Sequence, residues 1–167
     1  MAGPQTTAGP RQEPPRAGFP ALALASLFGL GYWPLAPGTL GSLVILALAL
    51  LLQRSGASLA IPVLAVLLVP VGIWAAGRVC AQLGDEDPSL VVVDEAAGML
   101  LSLSFLPTGL EIAVAAFLLF RILDITKPWP ADVLENLPGG LGVMADDIAC
   151  GLYTNILLQI AVIWILP

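Results

Sequence analysis

Apolar residues run along this chain in blocks, at roughly 40–52, 59–76, 96–106, 112–125 and 148–166, and most polar residues fall in the gaps between them. The blocks are leucine-rich and lack the alternation of a half-buried strand, so they predict helices. A full bilayer crossing takes about 20 residues, and several blocks fall short of that. The pattern therefore predicts an all-α integral membrane helical bundle with about four to five membrane-inserted helices, some of them tilted or only partly inserted. Ahead of the blocks, Phe19 to Gly31 is a shorter apolar run that passes into Trp33, Pro34 and Pro37 without a cleavage-site pattern. It reads as a retained, partly helical or re-entrant segment. Residues 1–17, rich in Pro, Gly, Ala, Gln and Thr, read as a disordered extension, which leaves 18–167 as one membrane domain.

Composition supports that class. Of the 167 residues 58% are hydrophobic and 11% charged, against about 25% charged in a soluble domain. The net charge is −6, and the six basic residues form no stripe that could follow a nucleic acid backbone. There is no histidine, which excludes histidine-based phosphoryl transfer and histidine-metal sites. Cys80 and Cys150 lie among small and apolar residues without a CxxC pair and read as packing residues. If crossings alternate from a cytoplasmic N-terminus, the connectors at 32–39, 78–95 and 121–147 share one face. That face then carries every basic residue except Arg54, which the positive-inside rule assigns to the cytoplasm.

The remaining charges are where chemistry is to be sought. Asp94 and Glu95 follow Leu90-Val91-Val92-Val93, Asp124 sits in Phe120-Arg121-Ile122-Leu123-Asp124-Ile125, and Asp146-Asp147 lead into the apolar C-terminus. A carboxylate at membrane depth costs about 2.5 to 3.5 kcal/mol on insertion scales, so several together call for a compensating cation. Helix capping by Asp94 or Asp146 accounts for one acid of each pair and not for its neighbour. Asp94, Glu95, Asp146 and Asp147 form the oxygen-rich ligand set that Mg²⁺ prefers. Arg121 and Asp124, three apart, suit an intrahelical ion pair. Arg121 with Lys127 equally suits a phosphate, Arg as a bidentate partner and Lys as a point charge. Thr39 is placed to cap a helix behind the glycine-rich stretch from Gly29 to Ser42, where Gly38 and its neighbours expose amides to an anion. Asp85-Glu86-Asp87 reads as a solvated acidic loop.

Four ordered motifs carry a family resemblance: Gly-Tyr-Trp-Pro-Leu-Ala-Pro-Gly-Thr-Leu-Gly-Ser (31–42), Val-Asp-Glu-Ala-Ala-Gly-Met (93–99), Phe-Arg-Ile-Leu-Asp-Ile-Thr-Lys-Pro-Trp-Pro (120–130) and Gly-Gly-Leu-Gly-Val-Met-Ala-Asp-Asp (139–147). From about Gly29 onward the chain resembles bacterial phosphatidylglycerophosphatase A. The resemblance implies a Mg²⁺-dependent phosphatase of the bacterial inner membrane, with its active site toward the cytoplasm. Its substrate would be phosphatidylglycerophosphate and its surroundings membrane lipids, with no obligate protein partner. Asp94, Glu95, Arg121, Asp124, Lys127, Asp146 and Asp147 would then be catalytic, and Arg121, Lys127, Thr39 and Gly38 would bind substrate. The reading from another class is a carrier for a divalent cation or proton, which requires acids spread through the membrane depth. The Asp-Gly-x2-Ala-Arg signature of CDP-alcohol phosphotransferases, which serve the same lipids, is absent.

Overall fold

The computed structural model describes residues 17–107 and 109–165. Helix α1 (Phe19–Ala25) leads through a 3₁₀ turn (Leu30–Tyr32) to α2 (Pro37–Arg54). Then come α3 (Ala60–Leu83), α4 (Val93–Leu103), α5 (Leu110–Thr126), the single turn α6 (Ala131–Leu134) and α7 (Gly140–Ile165). No strand occurs among the described residues. The expected disordered extension lies outside them except for Ala17, which is buried and donates its amide to Gln82 Oε1.

Helices α2, α3 and α7 are long and apolar enough to cross a membrane. Their outer faces are exposed and apolar, as at Val66, Leu67, Leu48 and Ile156, which suits lipid and not water. Helix α5, at 17 residues, measures about 26 Å and shows the same face at Leu118 and Ile122. The partly inserted helix expected from the short blocks is α4. Its 11 residues reach only about 16 Å, roughly half of a hydrocarbon core. It packs against α2, α3, α5 and α7, and nine of its residues are buried.

Several boundaries differ from the sequence expectation. Helix α2 begins at Pro37 behind Ala36, which holds a left-handed conformation, and no side chain caps it. Thr39 therefore lies inside the first turn, because proline's fixed φ suits a helix start and pre-empts a later cap. Likewise Asp94 is no cap, since α4 begins behind Val92 and forms no side-chain cap bond. Asp146 is no cap either. The glycine-rich stretch 138–142, within the connector expected at 121–147, is helical from Gly140, so Asp146 and Asp147 sit nearly two turns inside α7. The reason is close packing against α3: a Cβ at Gly140 would stand 2.1 Å from the Ile73 carbonyl oxygen and 2.5 Å from the Gly77 nitrogen. That contact outweighs glycine's cost of about 1 kcal/mol in a helix. Arg78, expected in a connector, lies within α3, which continues past Pro70 to Leu83.

Candidate active site

The start of α2, the 87–91 connector, the start of α4, the last turn of α5 and the second turn of α7 meet around one cavity of about 290 Å³. These stretches come from the three connectors that the sequence assigned to one face. All the candidate side chains but those of Asp146 and Asp147 are positioned by a helix end. Asp94 and Glu95 occupy the first turn of α4, where the helix dipole favours acids. Arg121 and Asp124 lie on the last turns of α5, and Lys127 ends that helix in a left-handed conformation. Gly38 brings the α2 backbone against Glu95, since a Cβ there would meet Glu95 Oε1 at 1.8 Å.

Asp94, Glu95 and Asp147 each offer one carboxylate oxygen, and the three oxygens lie within 4.8 Å of one another. Asp94 and Asp147 are only 7% and 3% exposed, so water screens this repulsion poorly. At 4.8 Å or less, two charged carboxylates repel by about 3.5 kcal/mol or more with an effective dielectric constant of about 20. Across the cavity Arg121 Nη1 lies 2.7 Å from Asp124 Oδ2 and 4.0 Å from Glu95 Oε1. The short contact is misaligned for a hydrogen bond, and Arg121 Nε and Nη1 both lack a partner. Lys127 Nζ lies 2.8 Å from Asp146 Oδ2 and also holds Glu135. Burial by itself lowers a lysine pKa, but its hydrogen bonds to Asp146 and Glu135 outweigh that and raise it, so Lys127 stays a cation.

The unpartnered buried side-chain atoms among the described residues are Asp94 Oδ1, Glu95 Oε2, Arg121 Nε and Nη1, Asp146 Oδ1 and Asp147 Oδ2. All belong to this cavity. Buried polar groups elsewhere find partners, so this concentration marks a place shaped for a polar ligand. The triad suits a hard divalent cation, which takes oxygen ligands and keeps water. The two guanidinium nitrogens without a hydrogen bond suit a phosphoryl group.

Each of the nine candidate catalytic and substrate-binding residues, Gly38, Thr39, Asp94, Glu95, Arg121, Asp124, Lys127, Asp146 and Asp147, lines this cavity. The triad itself leaves out Asp146, which is turned to Lys127, and Asp124, which is turned to Arg121. Thr39 lines the wall without capping α2. Glu135, the second partner of Lys127, went unnoticed because its proline- and glycine-rich connector carries no periodicity to place it. Asp87 is solvated as expected, yet it also stands on the rim.

A membrane-embedded helical bundle whose one mouth gathers oxygen ligands beside a guanidinium with unused donors has the build of an integral membrane hydrolase of phosphate esters. The family profile for phosphatidylglycerophosphatase A matches residues 23–162, and the chain belongs to that family of phosphoric monoester hydrolases. It is 36% identical to phosphatidylglycerophosphatase A of Escherichia coli, over 77% of this chain and 75% of the relative. With the Haemophilus influenzae protein of the same name it shares 33% identity, over 88% and 91% respectively. A Bacteroides thetaiotaomicron relative, provisionally named a phosphatidylinositol-3-phosphatase, is 40% identical over 87% of this chain and 96% of its own length. No solved structure matches the chain.

Proposed function

We propose that the protein removes the terminal phosphate of phosphatidylglycerophosphate, yielding phosphatidylglycerol and inorganic phosphate, at the cytoplasmic face of a bacterial inner membrane. The observation that carries this reading is the juxtaposition of the Asp94, Glu95 and Asp147 triad with the Arg121 guanidinium, whose Nε and Nη1 make no hydrogen bond. The triad would hold Mg²⁺, with Asp146 beside it. When bound, the ion supplies charge neutralisation at the phosphoryl oxygens and a lowered pKa for a coordinated water. Arg121 binds two phosphoryl oxygens, and Asp124 holds its guanidinium in place. Lys127, fixed between Asp146 and Glu135, adds positive charge on the aqueous side. Amides at the start of α2, near Gly38 and Thr39, face the same cavity wall and favour an anion. The attacking water's oxygen bonds to phosphorus, the phosphorus–oxygen bond to the glycerol breaks, and the glycerol oxygen takes up a proton. The acyl chains stay in the bilayer, with exposed Tyr32, Trp33 and Trp129 at headgroup level.

Charge distribution disfavours the carrier reading. Below the site, no charged residue occurs in α4 after Glu95 or in α7 after Asp147, so no acidic path runs through the bundle. The Bacteroides relative makes a phosphoinositide the rival substrate. The test measures phosphate release by purified protein from both lipids in mixed micelles, with Mg²⁺ and with EDTA. The expected result is Mg²⁺-dependent release, faster from phosphatidylglycerophosphate, and lost in Asp147→Asn, which keeps shape but removes charge. Faster release from the phosphoinositide would transfer the substrate assignment, and EDTA-resistant release would overturn the metal.

A further inference from the structure

Helices α4 and α7 leave the site side by side and pack backbone to backbone at two glycines, Gly98 and Gly151. A Cβ added to Gly151 would stand 2.5 Å from the Gly98 carbonyl oxygen, so neither position tolerates a side chain without separating the helices. The residues on either side of this contact are evenly spaced. One turn toward the cavity, four residues from each glycine, lie Asp94 and Asp147 of the triad. One turn away from it, again four residues distant, lie Ser102 and Asn155.

The far side is tied by hydrogen bonds that cross between the helices. Asn155 Nδ2 donates to the carbonyl oxygens of Ser102 at 3.2 Å and Ser104 at 2.7 Å, which have no partner of their own at the end of α4. Ser102 Oγ donates across to the Gly151 carbonyl at 3.5 Å besides its bond to the Gly98 carbonyl within α4, and Gln159, one turn beyond Asn155, donates to the Phe105 carbonyl at 3.2 Å. With no side chains between them at the glycine contact, the helices have a pivot there and two arms of equal length, about 6 Å each. A shift of the Ser102 end against Asn155 moves the Asp94 end against Asp147 by a similar distance.

We propose that Asn155 is a positioning residue for the carboxylate triad, holding α4 in axial and angular register with α7 so that Asp94, Glu95 and Asp147 converge on one cation. This rests on the metal-dependent reading of the site. Asn155 touches neither the cavity nor the substrate and acts only through α4.

The test measures Mn²⁺ binding directly, by electron paramagnetic resonance on purified protein in detergent, with no substrate present. Asn155→Leu keeps the volume and removes the donor, and its Mn²⁺ Kd is expected to rise about tenfold, as for other residues that orient metal ligands. Thr154→Val is the control for a merely structural loss. Thr154, next to Asn155 in α7, is fully buried where Asn155 is half-buried, and its hydroxyl bonds only the Cys150 carbonyl within α7, so its Kd should stay that of wild type. Equal Kd for Asn155→Leu and wild type overturns the positioning role, as does an equal loss in Thr154→Val. If Asn155→Leu does not yield folded protein, Gln159→Leu removes the outermost link alone and should raise Kd about twofold to threefold. An unchanged value there overturns the proposal. Failure of wild type itself to bind Mn²⁺ falls on the underlying metal reading, and is thereby distinguished from failure of the Asn155 role.

Discussion

At the scale of single residues, the site opposes like charges and leaves them unrelieved until a ligand arrives. Arg121 shows how finely that is balanced. It pairs with Asp124 at 2.7 Å, yet Nε and Nη1 make no hydrogen bond that a phosphoryl group would have to displace. A lysine there keeps the charge but loses the planar fork, so Arg121→Lys is expected to lower kcat/KM about 10²-fold while the protein stays inserted and monodisperse. Steady-state kinetics on mixed micelles checks this, and activity within about threefold of wild type would remove bidentate phosphate binding by Arg121. The residue types were legible in the sequence, because acids in apolar surroundings are conspicuous wherever they fall. Their pairings were not. Arg121 with Asp124 could be read from helical spacing, whereas Lys127 with Glu135 depends on how a proline-rich connector folds back.

Elements contribute what single residues do not, namely the closeness of backbones. Gly38 and Gly151 give two contrasting expectations. At Gly38 the obstructing atom is the end of the Glu95 side chain, 1.8 Å from where an alanine methyl would stand, so Gly38→Ala should displace that carboxylate and cut kcat with little change in thermal stability. At Gly151 the obstruction is the α4 backbone, so Gly151→Val should cost about 1–3 kcal/mol of stability as an overpacked core does. Thermal unfolding in detergent, read beside activity, separates the two. A large stability loss at Gly38, or none at Gly151, would contradict the assigned contacts. Helix existence followed from the apolar blocks, but the start of α7 did not. Glycines at 139, 140 and 142 resemble a loop until the neighbouring α3 supplies the packing that makes them helical.

For the whole molecule, the decisive arrangement is that the connectors at 26–36, 84–92 and 127–139 gather at one end, with the loops after α2 and α4 at the other. If that end faces the cytoplasm, the two ends differ in access to a probe from outside the cell. Both native cysteines are buried, so Cys80 and Cys150 should give little background labelling. Ser55→Cys, after α2, is expected to react with a membrane-impermeant maleimide in intact cells, and Ser89→Cys only after the cells are opened. The reverse pattern would invert the proposed orientation.

The sequence by itself determined the membrane class, the helical elements, the set of acids and bases, and the family, because each depends on residue type or on order along the chain. Insertion cost forces apolar blocks into helices, and it makes every retained charge conspicuous. Tertiary structure alone decided which acids converge, that Asp146 turns to Lys127 instead of joining the triad, and that α4 stops half-way and is finished by Asn155. Those outcomes depend on distances between segments far apart in the chain. Such distances are set by glycine contacts and hydrogen bonds between helices, which no local pattern encodes.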